Sequence, residues 1–162
     1  MTKWFLSDFW MLFKNILLAF DGSTASSKAA EYAIYLCKLE GAPLTFLHIL
    51  DNIKQGGVIG LRARYGDTKL IDGYKRARRK DAEKWIKPIQ QTATTEGIKS
   101  TIAILDDEKN SKVETIVQFI EKNNIDLVIM GSRGLSKFKQ MLIGSIASGI
   151  ISHSKCPVLV IR

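Results

Sequence analysis

Residues 126–145 read DLVIMGSRGLSKFKQMLIGS. Asp126–Met130 contain a short unbroken apolar run, the pattern of a strand covered on both faces, as in a parallel sheet. Gly131 and Gly134 follow at once. After nine residues come Gly144 and Ser145, at the expected start of a helix over 145–153. Glycines let backbone N–H groups crowd around an anion without side-chain obstruction. The first N–H groups of a helix, together with its dipole, favour phosphate. Ser145 can add a hydroxyl, as can Ser148, and Arg133, Lys137 and Lys139 place positive charge on the intervening loop. This is not a Walker A loop, because no Gly-Lys-Ser/Thr follows at the needed spacing. Nor does a GxGxxG motif follow the first strand.

Working outward, further apolar runs predict strands at 15–20 (NILLAF), 44–50 (LTFLHIL), 99–105 (KSTIAIL) and 157–161 (PVLVI). Helical spacing predicts helices over 25–40, 74–96 and 113–123. The first should bury Ala29, Ala33, Leu36 and Leu39 or their neighbours, and the second Trp85, Ile86 and Ile89. The third should bury Ile116, Val117 and Ile120, with Ser111 as its cap. Pro88 is expected to kink or divide the second helix. Residues 51–73, with five glycines and little periodicity, are expected as a mobile loop. Strand–helix alternation of this kind implies right-handed crossovers, hence an α/β fold with a five-stranded parallel doubly wound sheet and helices on both faces. Two strand orders are common, 3-2-1-4-5 and 2-1-3-4-5, and in both the ligand lies where the order reverses. In the first, Asp21-Gly22-Ser23 after strand one faces Gly131–Gly134 after strand four.

The chain has 162 residues, 46% apolar and 25% charged, which suits one globular domain and excludes a disordered tail or a disulfide-stapled miniprotein. Lys and Arg outnumber Asp and Glu by 24 to 16, a formal charge of +8 that points to an anionic partner. Residues 53–80 hold nine Lys/Arg against two Asp, so most of the excess sits there. Cys37 and Cys156 lie in no metal-binding spacing and are expected as free thiols of a reducing compartment, with a cytoplasmic location. His48 and His153 are too isolated to argue for a metal. Residues 1–13, MTKWFLSDFWMLF, are expected as an appended aromatic extension. Ser7 and Asp8 interrupt the apolar stretch, which is too short to span a bilayer. A membrane-surface anchor is the sharper alternative.

Several segments in the same order resemble the universal stress protein family, in particular its ATP-binding branch. They are KNILLAFDGS (14–23), LTFLHIL (44–50), DLVIMGSRG (126–134) and GSIASGIISHSKCPVLVIR (144–162). The family's G-x2-G-x9-G-S signature is complete as Gly131, Gly134, Gly144 and Ser145. The resemblance covers residues 14–162 and implies the order 3-2-1-4-5, with ATP, accompanied by magnesium, across the strand 1/strand 4 switch point. It implies that Asp21 accepts from the ribose hydroxyls and that the Ile49 main chain pairs with the adenine edge. Gly131 would lie beside the ribose, and Gly134, Gly144 and Ser145 would cradle the phosphates, with Arg133 beside them. It also implies a homodimer through the last strand. The chain departs from the family where Asp106-Asp107-Glu108 stands in place of a common glycine turn, adding negative charge at the ligand end.

No convincing catalytic set accompanies these residues, since Ser145 lacks a His at a recognisable spacing. A nucleotide-binding regulatory module is therefore expected, with at most slow ATP hydrolysis. Two other classes compete. One is a nucleotide-free interaction protein of the same fold. The other is a nucleic-acid or anionic-membrane binder using Lys75-Arg76-Ala77-Arg78-Arg79-Lys80, although such a run more often forms a solvated helix face.

Overall fold

The computed structural model of the chain describes residues 12–50, 68–106, 111–135 and 143–162. The strands are β1 (Ile16–Ala19), β2 (Leu44–Leu50), β3 (Ser100–Asp106), β4 (Leu127–Gly131) and β5 (Val158–Ile161). The helices are α1 (Thr24–Glu40), α2 (Thr68–Thr95), α3 (Lys112–Lys122) and α4 (Ser145–His153). The sheet is parallel with order β3-β2-β1-β4-β5, which settles the choice between the two expected orders. Expectations for residues 1–11, for the loop 51–67, for Asp107 and Glu108, and for Lys137 and Lys139 lie outside the described residues.

The central strands are apolar on both sides because helices cover both. Ile16, Leu17 and Leu18 are fully buried, and each such side chain contributes roughly 1.5–3 kcal/mol on leaving water. Alternation sends Ile16, Leu18 and Phe20 towards one core, with Ala29, Ala33 and Cys37 of α1 and Ala82, Ile86 and Ala93 of α2. It sends Leu17 to the other, with Ile116 and Ile120 of α3 and Ala147 and Ile150 of α4. Ser111 caps α3 as expected, in a reciprocal box with Glu114 that satisfies two otherwise unpaired N–H groups.

Four expectations need correction. Trp85 is not in the buried stripe of α2 but 42% exposed. The stripe runs Ala82, Ile86, Ile89, Ala93, and one residue's rotation about the helix takes Trp85 out of it. Residues 68–73 are not loop, because α2 already begins at Thr68 and carries Gly73 within it. Pro88 does not divide α2, which continues as one helix to Thr95 on the packing of that stripe. In α1, Cys37 takes the buried place and Leu39 faces outward, 67% exposed.

Cys37 packs in one core and Cys156 against the other, on opposite faces of the sheet, and both are free thiols. Burial pushes the Cys37 thiol up to about 12, so almost no reactive thiolate forms at mildly alkaline pH. A thiol-specific reagent should therefore modify Cys156 alone in the folded protein, and both cysteines after guanidinium unfolding. Equal labelling of both in the native state would contradict this packing.

Candidate functional site

The site begins with the pairing of β1 and β4. Their register sets Ile16 beside Leu127 and Ala19 beside Met130, so the turn after β1 and the turn after β4 emerge side by side. Gly131 comes so close to α1 that a methyl group there would lie 2.8 Å from Ala25 C and Ser26 N. Only a residue without a side chain allows that approach. Ser23 caps α1 by accepting from Ser26 N at 3.1 Å, and its hydroxyl donates to the Arg133 carbonyl at 3.2 Å. One buried side chain thus joins the two turns.

Asp21 is half-buried at the centre. Its Oδ1 accepts from Ser23 N at 3.0 Å, which orients the carboxylate. Its Oδ2 faces Gly134, where an added methyl would come within 2.5 Å of it. Gly144 closes the far side. Its N–H donates to the Ser132 carbonyl at 2.8 Å, and a methyl there would lie 3.4 Å from that oxygen and 4.0 Å from Gly134 N. The glycines separated by nine residues in sequence are therefore brought close together. Gly144 is the N-cap of α4 and supplies no side-chain cap, so the helix start keeps N–H donors for an anion. Ser145, its first residue, is exposed at this end. Arg133 is also exposed and lines a cleft with Thr24 and Lys28.

Ile49 lies at the same end of the sheet. The Phe20 N–H donates to the Leu47 carbonyl at 2.9 Å, so Leu47 presents its main chain to β1. Ile49, two residues on, presents its own to that side as well, but β1 has ended and the chain turns away at Asp21-Gly22. Its side chain is buried in the α3–α4 core. The expected residues Asp21, Ile49, Gly131, Gly134, Gly144 and Ser145 are thus all at the carboxyl ends of β1, β2 and β4. Among the described residues no group of three His, Cys, Asp or Glu is placed to hold a metal ion.

Sequence reasoning missed two neighbours of this crevice. His48 is buried, and its Nδ1 donates to the Phe20 carbonyl at 2.7 Å. Its ring meets Trp85 edge-on, with centroids 6.2 Å apart. Trp85 in turn covers Gly22, whose φ of 81° suits glycine and whose added methyl would meet the indole at 3.0 Å. No periodicity marks His48 apart from its apolar neighbours, and Trp85 looked like core. Burial holds the His48 imidazole below its ordinary value of 6.5, helped by the positive charges of Lys112 and Arg78. The Phe20 carbonyl and Asp21 pull the other way.

The chain matches the family described as the universal stress protein family over residues 12–162. Among curated proteins it is 30% identical over 151 residues to universal stress protein MJ0531 of Methanocaldococcus jannaschii, covering 93% of this chain and 83% of that one. Among solved structures it resembles universal stress protein UspA from Lactobacillus plantarum, with a TM-score of 0.74 and 26% identity over 93% of this chain and 98% of that one. A universal stress protein from Archaeoglobus fulgidus, solved in complex with dAMP, shares the fold at 16% identity and a TM-score of 0.61, over 94% and 99% of the two chains.

Two outcomes are expected of this geometry. Gly131→Ala, whose methyl meets backbone, should cost about 1–3 kcal/mol in chemical denaturation. Gly134→Ala, whose methyl meets only a carboxylate end, should cost clearly less. Equal losses would contradict the placement of the two glycines. His48 should make stability pH-dependent. Its folded pKa is depressed, so the unfolded chain takes up the proton first, and stability present above pH 6.5 is lost as the pH falls below it. Melting curves from about pH 7.5 to about pH 5 should show this loss, and His48→Gln should flatten it. An unchanged slope in that variant would assign the loss to other groups.

Proposed function

This chain belongs to the universal stress protein family, and we propose that it is a regulatory protein of the stress response that binds ATP at the β1–β4 switch point. The observation that carries this reading is the convergence of an oriented carboxylate, three glycines and a helix start without a side-chain cap on one crevice. Asp21 has an oxygen for the ribose hydroxyls, with Gly131 beside it. Gly134, Gly144 and Ser145 form the phosphate cradle, and a methyl on Gly134 would crowd the Asp21 carboxylate beside it. The Ile49 main chain, on the side that β1 leaves open, pairs with the adenine edge. Arg133 adds positive charge near the phosphates, and magnesium arrives with the triphosphate. The dAMP complex of the Archaeoglobus fulgidus relative supports an adenine nucleotide as the ligand class.

Residues 14–162 form the nucleotide-binding domain in this reading, and residues 1–13 an appended segment. Nucleotide occupancy changes what the protein presents to its partners, which requires different affinities in the two states. The protein works as a homodimer through β5. That strand pairs with β4 on one side, and its other edge carries half-buried Val158, Leu159 and Val160. An unpaired apolar edge invites pairing, and a symmetry mate satisfies it.

Calorimetry with ATP and magnesium tests the reading. The wild type should give saturable heat, Asp21→Asn should bind at least about tenfold more weakly, and a Gly134→Val, Gly144→Val variant should give none. No heat from the wild type, with no nucleotide released on denaturation, would leave a nucleotide-free interaction protein as the better reading.

A further inference from the structure

A second cleft lies on the α1 side of the loop after β4. It has a volume of about 480 Å3 and is lined by Thr24, Ala25 and Lys28 of α1, Ser132 and Arg133 after β4, and Arg162 after β5. Asp21, Ile49, Gly134, Gly144 and Ser145 do not line it. α4, whose start forms part of the nucleotide crevice, packs on the opposite face of the sheet.

The charge around this cleft is one-sided. Lys28, Arg133 and Arg162 bring three cations, and among the described residues no acidic side chain lines the cleft. Among the described residues, the ion pairs engage Lys38, Lys84, Lys87 and Lys155, and none engages these three. The first turn of α1 carries no acid either, although a helix start favours one. The walls are held in place. Ser132 N donates to the Ile161 carbonyl at 2.6 Å, and the Ser23 hydroxyl bonds the Arg133 carbonyl. Guanidinium groups present planar forks that match phosphate oxygens two at a time. The volume falls within the usual range of small-molecule sites, about 300–1,000 Å3, and exceeds what a single inorganic ion fills.

We propose that this cleft is a second anion site, distinct from the nucleotide crevice, that takes a small ligand bearing two or more phosphate groups. Lys28 supplies a point charge, Arg133 and Arg162 supply the forked donors, and the Thr24 hydroxyl adds a further donor. Arg133 stands between the two sites and lines this one.

The probe is sodium pyrophosphate without magnesium, followed by amide chemical shifts in the isotope-labelled protein. Saturable shifts are expected at Thr24, Ala25, Lys28, Arg133 and Arg162. Lys28→Gln with Arg162→Gln should weaken the response at least about tenfold, since two of three cations are lost. Both residues are exposed, so the variant's dispersed spectrum reports an intact fold. Asp21→Asn, which impairs ATP binding but touches no wall of the cleft, should leave pyrophosphate affinity within about twofold. That arm separates failure of this site from failure of the nucleotide reading. Shifts confined to Gly134, Gly144 and Ser145, or no saturable shifts at all, would overturn the proposal.

Discussion

The parallel pairing of β1 with β4 is the constraint on which the rest of the molecule depends. These strands are far apart in sequence, yet their register sets Ala19 beside Met130. The strand order reverses between them, so the helices that follow leave on opposite faces. A crevice opens where they part. Gly131 permits it, because any side chain there would strike the start of α1. Ser23 then fastens the two turns through Arg133. Asp21 inherits its orientation from Ser23 and its open side from Gly134.

The same few turns serve folding and binding by different means. Beneath them the strands are apolar on both sides and rigidly packed. At their carboxyl ends the packing gives way to backbone donors, one carboxylate and small residues. Gly134 and Gly144 add nothing to either core. Their lack of side chains keeps space open above Asp21 and the start of α4, where a fold optimised for packing alone would have filled it. His48 sits at the boundary between the two regimes. It is buried like its strand neighbours, yet it spends its ring nitrogen on the Phe20 carbonyl where the β1 ladder ends.

Much of this was legible in the sequence because unbroken apolar runs and helical spacings are local signals. All nine elements appear in the expected order, and Ser111 with Glu114 announces the start of α3. The sheet order was not in the periodicity. It came from the resemblance, and the pairing of β1 with β4 bears it out. What misled was finer than one helical turn. Trp85 differs from Ile86 by a single residue's rotation, which spacing alone does not resolve. Gly73 made the start of α2 look like loop, although neighbouring residues hold the helix. The second basic cleft was invisible, because Lys28, Arg133 and Arg162 come from three separate segments and only the sheet brings them together.

The most direct test of the central claim is a crystal structure of this protein grown with ATP and magnesium. The account predicts the ribose against Asp21 and Gly131, the adenine edge at the Ile49 main chain, and the phosphates between Gly134 and the start of α4 at Ser145. A crevice left empty at saturating ATP, or a nucleotide bound away from the β1–β4 switch point, would contradict it.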